Sequence, residues 1–187
     1  MKIVITIMIA VLLLGCSARS KSYYILDGMQ DVSQEGEKTE RVEQQSIGIE
    51  SILLPRYFQH NHIAIQEAEH RISFDGDASW MEDMNAHLTK AMIGYLKHYF
   101  NSADIHLYPW DTGSDMDKRV RIMIEHFIFF DGAIVLDASW EIRDKQGHKV
   151  VKFFHTKVPS SSDIEEIVKQ MDVSFSQLEV QVAKSLS

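Results

Sequence analysis

The sequence is poor in the residues that staple or interrupt a fold. It has one cysteine among 187 residues, three prolines and nine glycines. One cysteine cannot close an intramolecular disulfide or supply a cysteine-rich zinc site. So few prolines and glycines exclude collagen-like and low-complexity architectures. Positive charge is short as well, with 19 Lys and Arg against 27 Asp and Glu and a formal charge of −8. Coating nucleic acid requires a basic face, so nucleic acid is not an expected partner. The apolar run near the N-terminus stops short of the roughly 17–25 residues that span a bilayer.

What is present is a core-forming composition. Hydrophobic residues make up 45% of the chain, enough for one globular domain and too many for whole-chain disorder. The cysteine stands at the end of the apolar run. Lys2 is followed by residues 3–14, the length of a signal-peptide apolar core. That run closes in Leu13-Leu14-Gly15-Cys16, then Ser17-Ala18. The pattern resembles the bacterial lipoprotein signal, the lipobox. A thiol at Cys16 can take a diacylglyceryl group as a thioether, and small Gly15 gives a peptidase access to the bond before it. The expectation is a signal peptide over residues 1–15, a lipidated tether over 16–22 and a single periplasm-facing domain over 23–187. Multiple acyl chains anchor stably where one chain is marginal. Ser17, where an inner-membrane retention signal would carry Asp, points to the outer membrane.

Periodicity gives the elements. Residues 23–26 (YYIL) read as a first strand. Residues 29–45 are highly polar and read as a surface loop. Strands are expected over 46–54, ended by Pro55, and over 62–66 and 71–74, with Asp75-Gly76-Asp77 as a turn. Trp80, Met84, Leu88, Met92, Leu96 and Phe100 recur every four residues. They predict an amphipathic helix over 79–99, with Ser79 as N-cap and Glu82 completing a capping box. After a short strand at 104–108, residues 119–130, 133–143 and 148–157 predict a three-stranded meander. Its turns are Asp131-Gly132 and the stretch 144–147. The pattern changes face near Phe127, the mark of a bulge or of a strand buried on both sides. Ile164, Ile167, Val168, Met171, Phe175, Leu178 and Val182 predict a last helix, capped by Ser162 or Asp163 and running to about residue 184. The fold class is α+β: a mostly antiparallel sheet with two amphipathic helices packed on one face.

The sequence carries no nucleotide-binding, nucleophile-elbow or zinc-protease motif. His60, His62 and His70 invite a metal reading, because alternate strand residues point the same way. The spacing supplies no clear third and fourth ligand, so no metal and no cofactor are expected. Glu82 and Asp83 suit a helix N-terminus better than acid–base chemistry. Tyr57, Phe58 and Trp110 suit core or turn packing, and residues 160–162 read as a loop and helix cap. No catalytic residue is assigned, and the chain reads as a non-enzyme.

A family resemblance follows from ordered features: the lipobox at Cys16, YYIL at 23–26, IGIESILLPRYF at 47–58, WMEDM at 80–84, Pro109-Trp110, and VRIMIEHFIFFDGAIVLDASWEI at 120–142. Their order resembles the PqiC/YmbA family of ABC-type transport auxiliary lipoproteins, from Cys16 to about residue 155. The resemblance implies an outer-membrane lipoprotein in an MCE-type intermembrane lipid transport system. It would bind or scaffold a periplasmic MCE-domain tunnel protein (PqiB-like) and support membrane integrity. Its partners would be that protein, the membrane through the anchor, and phospholipid as cargo; a homo-oligomer is compatible with the family. The competing reading is a stand-alone periplasmic lipid-binding or sensing lipoprotein.

Overall fold

A computed structural model describes residues 20–26, 45–101, 104–109 and 116–187. Cys16 and the signal sequence, most of the polar segment at 29–45, and Trp110 lie outside the described residues. In chain order the elements are β1 Ser22–Tyr24, β2 Ser46–Ile49, a 3₁₀ turn Arg56–His60, β3 His62–Ala68, β4 Arg71–Trp80 and α1 Met84–Phe100. Then come β5 Asp104–Leu107, β6 Lys118–Phe130, β7 Ala133–Asp144, β8 Lys149–Pro159 and α2 Ile164–Leu186.

The meander is built as its period-two pattern requires. Val120, Ile122 and Ile124 are buried, while Arg119, Arg121, Met123 and Glu125 are exposed on the opposite face. The β6–β7 ladder runs from Lys118↔Asp144 to Phe130↔Ala133, with one slip between Ile124 and His126. That slip is a bulge, and it turns Phe127 to the core side. Asp131 (φ 49°) and Gly132 (φ 71°) both adopt left-handed backbone, as a two-residue hairpin loop needs.

β6 organises the whole sheet. One edge pairs along its length with antiparallel β7, which in turn pairs with β8. The other edge takes three partners in succession, all parallel: β2 at Ile47↔Lys118, Leu53 at Met123, and β3 at Ile65↔Phe129. β5 extends beyond β2, while β4 and then β1 extend beyond β3. The eight-stranded sheet is therefore mixed. Its longest ladders are antiparallel, and both helices pack into one contiguous core with it.

Leu88, Met92, Leu96 and Phe100 carry the buried face of α1. Ile167, Met171, Phe175, Leu178 and Val182 carry that of α2. Phe127 joins the sheet to both sides of this core, with ring centroids 5.9 Å from Phe58 and 6.4 Å from Phe175. The Thr89 hydroxyl accepts from the Ile52 amide at 2.9 Å, fixing α1 to the segment after β2. Lys118 Nζ donates to the Leu186 carbonyl at 2.6 Å, fixing the end of α2 to the start of β6.

The expected start of the first helix is corrected. Ser79 and Trp80 belong to β4, and Asp83 is the N-cap, accepting from the Ala86 amide at 2.9 Å. The cause is long-range pairing: Ser79 and Trp80 lie beside Tyr23 and Tyr24, and Ser79 also lies beside His62. Asp75-Gly76-Asp77 does not end the strand either. The Asp75 carboxylate accepts from the amides of Asp77 and Ala78, at 2.8 and 2.7 Å, and the chain bulges and continues. Asp163 caps α2 through the Glu166 amide at 3.2 Å.

Candidate functional site

The face of β6, β7 and β8 that carries no helix is the most organised exposed surface. Strand register places its side chains in rows. One row is charged. Arg121 donates to both carboxylate oxygens of Glu50, at 2.7 and 3.2 Å. Glu141 accepts from Lys149 at 2.6 Å and from Arg143 at 2.8 Å. Lys149 first and Arg143 second hold the Glu141 carboxyl below its ordinary range. Glu50, Arg119, Arg121, Glu141 and Arg143 line a depression of about 180 Å³.

The next row is apolar. Leu53 bridges to Met123, Met123 lies opposite Ser139, and Ser139 lies opposite Phe153. Leu53 and Met123 are exposed, and Phe153 is 82% exposed. Val151 adds a further exposed side chain two residues from Phe153. A third row holds imidazoles. Asp137 accepts from His155 Nδ1 at 2.5 Å and from His126 Nδ1 at 3.2 Å, so one carboxylate orients two rings. Glu125 accepts from the Ser139 hydroxyl at 2.7 Å. A shallow depression of about 420 Å³ opens among Glu125, His126, Asp137, Phe153 and His155.

Such a face can hold another macromolecule by an apolar band flanked by polar rows. A small gap bordered by Tyr57, Phe58, Trp80, Phe127 and Met171 is too tight to admit a water.

The residues weighed from sequence fall apart in space. The His60 ring packs tilted against Phe74, with centroids 4.8 Å apart. His62 Nδ1 lies 3.2 Å from the Ser79 hydroxyl, and His70 sits in the β3–β4 turn beside Glu69. Among the described residues, no group of three or more His, Cys, Asp or Glu is placed to hold a metal ion. Phe58 is core, and the Tyr57 hydroxyl accepts from the Phe127 amide at 2.8 Å. Burial outweighs that bond and pushes the Tyr57 phenol up to about 12.

One buried polar pair escaped the sequence reading. Asp172 and Glu179 are both buried on α2. Burial first, then the charge of Asp172, raises the Glu179 carboxyl to about 8. Its Oε1 has no hydrogen-bond partner among the described residues. Tyr95 on α1 faces the same charge and is pushed up to about 12, chiefly by burial and then by Glu179. A signal existed: the two acids are seven residues apart, at the border of the apolar stripe of α2.

Among the described residues, no helix is long and apolar enough to cross a membrane. Solved structures that share the fold include the following two. One, described as an uncharacterized protein, is 19% identical with a TM-score of 0.72, covering 90% of this chain and 99% of that one. The other, a Xanthomonas campestris protein of family-model DUF330, is 12% identical with a TM-score of 0.65, covering 74% and 81%. No curated protein matches the sequence. The family model described as "ABC-type transport auxiliary lipoprotein component" matches residues 24–183, nearly the whole of the folded domain, and the chain belongs to that family.

Proposed function

We propose that this chain is an outer-membrane lipoprotein of an MCE-type intermembrane lipid transport system. Residues 1–15 are the signal peptide that processing removes. Cys16 carries the lipid, residues 16–22 form the tether, and residues 23–187 form one periplasm-facing domain. The domain binds and scaffolds the periplasmic MCE-domain partner and performs no bond chemistry of its own. The observation that carries this reading is the helix-free face with its band of Leu53, Met123 and Phe153. An exposed apolar band framed by oriented charges is the usual anatomy of a protein-binding surface.

The test is co-purification. The lipoprotein is tagged at its C-terminus and recovered from native membranes in mild detergent. An MCE-domain protein is expected in the eluate, and Phe153→Glu together with Met123→Glu should remove it while acylation persists. Recovery of no MCE-domain protein with the unsubstituted chain would reject the scaffold role. Co-purified phospholipid in its absence would favour the stand-alone lipid-binding alternative.

A further inference from the structure

A second exposed apolar patch lies at the edge formed by β1 and β4, five strands across the sheet from Phe153. β1 pairs in parallel with β4 at Tyr23↔Ser79 and Tyr24↔Trp80, and the Met81 amide donates to the Tyr24 carbonyl at 2.8 Å. Continued by one residue past the end of the ladder, that register brings Ile25 next to Met81, with Tyr23 two residues back. Tyr23 is 61%, Ile25 51% and Met81 65% exposed. The surface is rigidly placed. Leu26 is buried, and its carbonyl accepts from His87 Nε2 at 2.6 Å, so β1 is fastened to α1 immediately after these residues.

We infer that Tyr23, Ile25 and Met81 seat the domain on the lipid surface that holds its own anchor. The inference rests on the proposed lipidation of Cys16. Three observations select lipid as the occupant. First, Cys16 precedes Ser22 by six residues; even fully extended, that tether reaches roughly 20 Å. Acyl chains at Cys16 therefore hold the β1 edge within one small-domain diameter of the bilayer. Second, the side chains suit the headgroup boundary. Tyrosine is enriched there, and aliphatic side chains enter the acyl region. Third, the linking stretch 17–26 (SARSKSYYIL) carries Arg19 and Lys21 and no acid, in a chain whose balance is −8. Local positive charge beside exposed apolar side chains complements anionic phospholipid.

Seating has a geometric consequence. From β1 the sheet runs through β4, β3, β6 and β7 to β8. Five strand spacings separate the seated edge from Phe153, about 24 Å at ~4.8 Å each. The seated edge and the band at Phe153 are then separate patches, five strands apart across one sheet.

Photocrosslinking in native membranes tests this. Benzoylphenylalanine is incorporated at Ile25, at Met81 or at Phe153 in the full chain, in cells whose phospholipid is labelled in its phosphate. The diacylglyceryl group expected on Cys16 contains no phosphate, so the anchor itself gives no signal. A parallel culture labelled with palmitate reports acylation. Phosphate-labelled adducts at 25 and 81, with none at 153, are the expected result. Acylated protein without adducts at 25 and 81, with protein adducts there instead, or with equal lipid adducts at 153, would overturn the seating surface and leave the anchor intact. Absence of palmitate from the unsubstituted chain would remove both the anchor and the inference built on it.

Discussion

Among the described residues, Glu179 carries the carboxyl raised furthest from its ordinary value. A carboxylate buried in an apolar helix interface loses hydration, and the neighbouring charge of Asp172 disfavours a second negative charge, so the neutral form is favoured. Its folded value of about 8 lies above the ordinary carboxyl range. The folded protein then binds more protons than the unfolded chain between pH 4.5 and 8, and stability falls as pH rises through that window. Glu179→Gln keeps the shape and removes the ionisation. Denaturant unfolding of the variant should show a flatter pH profile, with a gain of a few kcal/mol at pH 9 and little change near pH 5. Parallel profiles for both proteins would mean that Glu179 ionises in the fold without penalty. The seven-residue spacing of Asp172 and Glu179 marks them as neighbours on one helix face but does not announce burial, because a Glu bordering an apolar stripe usually extends to solvent. Burial there depends on α1 crossing α2, a tertiary fact.

At the scale of elements, legibility tracks the range of the contacts. The β6–β7–β8 meander could be read because its alternation, its Asp131-Gly132 turn and its bulge near Phe127 are encoded within neighbouring residues. The β4–α1 boundary could not. The four-residue repeat of Trp80 with Met84 and Leu88 is real, but Trp80 enters the core from a strand whose partners β1 and β3 are distant in sequence. Removing the observed cap separates the two versions. Asp83→Ala should cost about 1 kcal/mol of stability through the lost Ala86 amide bond. A larger loss from Ser79→Ala, with Asp83→Ala silent, would restore Ser79 as the helix start.

Asp117 makes the same point about range. It accepts from the Ser46 amide at 2.8 Å, from the Ser46 hydroxyl at 2.9 Å and from Lys145 at 2.8 Å. The start of β2, the residue before β6 and the β7–β8 turn meet at one carboxylate, held down to about 2 by Lys145 first and Ser46 next. A depressed carboxyl stabilises above its ordinary pKa and loses that contribution as pH falls through the folded value. Asp117→Asn should therefore lower stability at neutral pH and flatten the decline between pH 4 and pH 2. An acid-unfolding curve that keeps its shape would show that the cluster is not coupled to folding.

For the whole molecule, the proposed seating patch and the proposed partner band predict that anchoring and partner binding are separable. The order of motifs along the sequence disclosed the family, while the rows of the helix-free face required the register of four segments, with Leu53 reaching Met123 from another part of the chain. If Cys16 is the anchor, Cys16→Ser should abolish palmitate labelling and leave an unprocessed or released chain. The fold should persist, because no described contact of the core depends on residue 16. Released protein should still bind an MCE-domain partner added in solution through Met123 and Phe153. Phe153→Glu with Met123→Glu should do the reverse, keeping label and membrane fraction while losing the partner. Fractionation combined with pull-down reads both properties from one culture. Loss of partner binding in released, folded Cys16→Ser protein would show that the membrane itself completes the partner surface, and the separation drawn from the five-strand distance would fail.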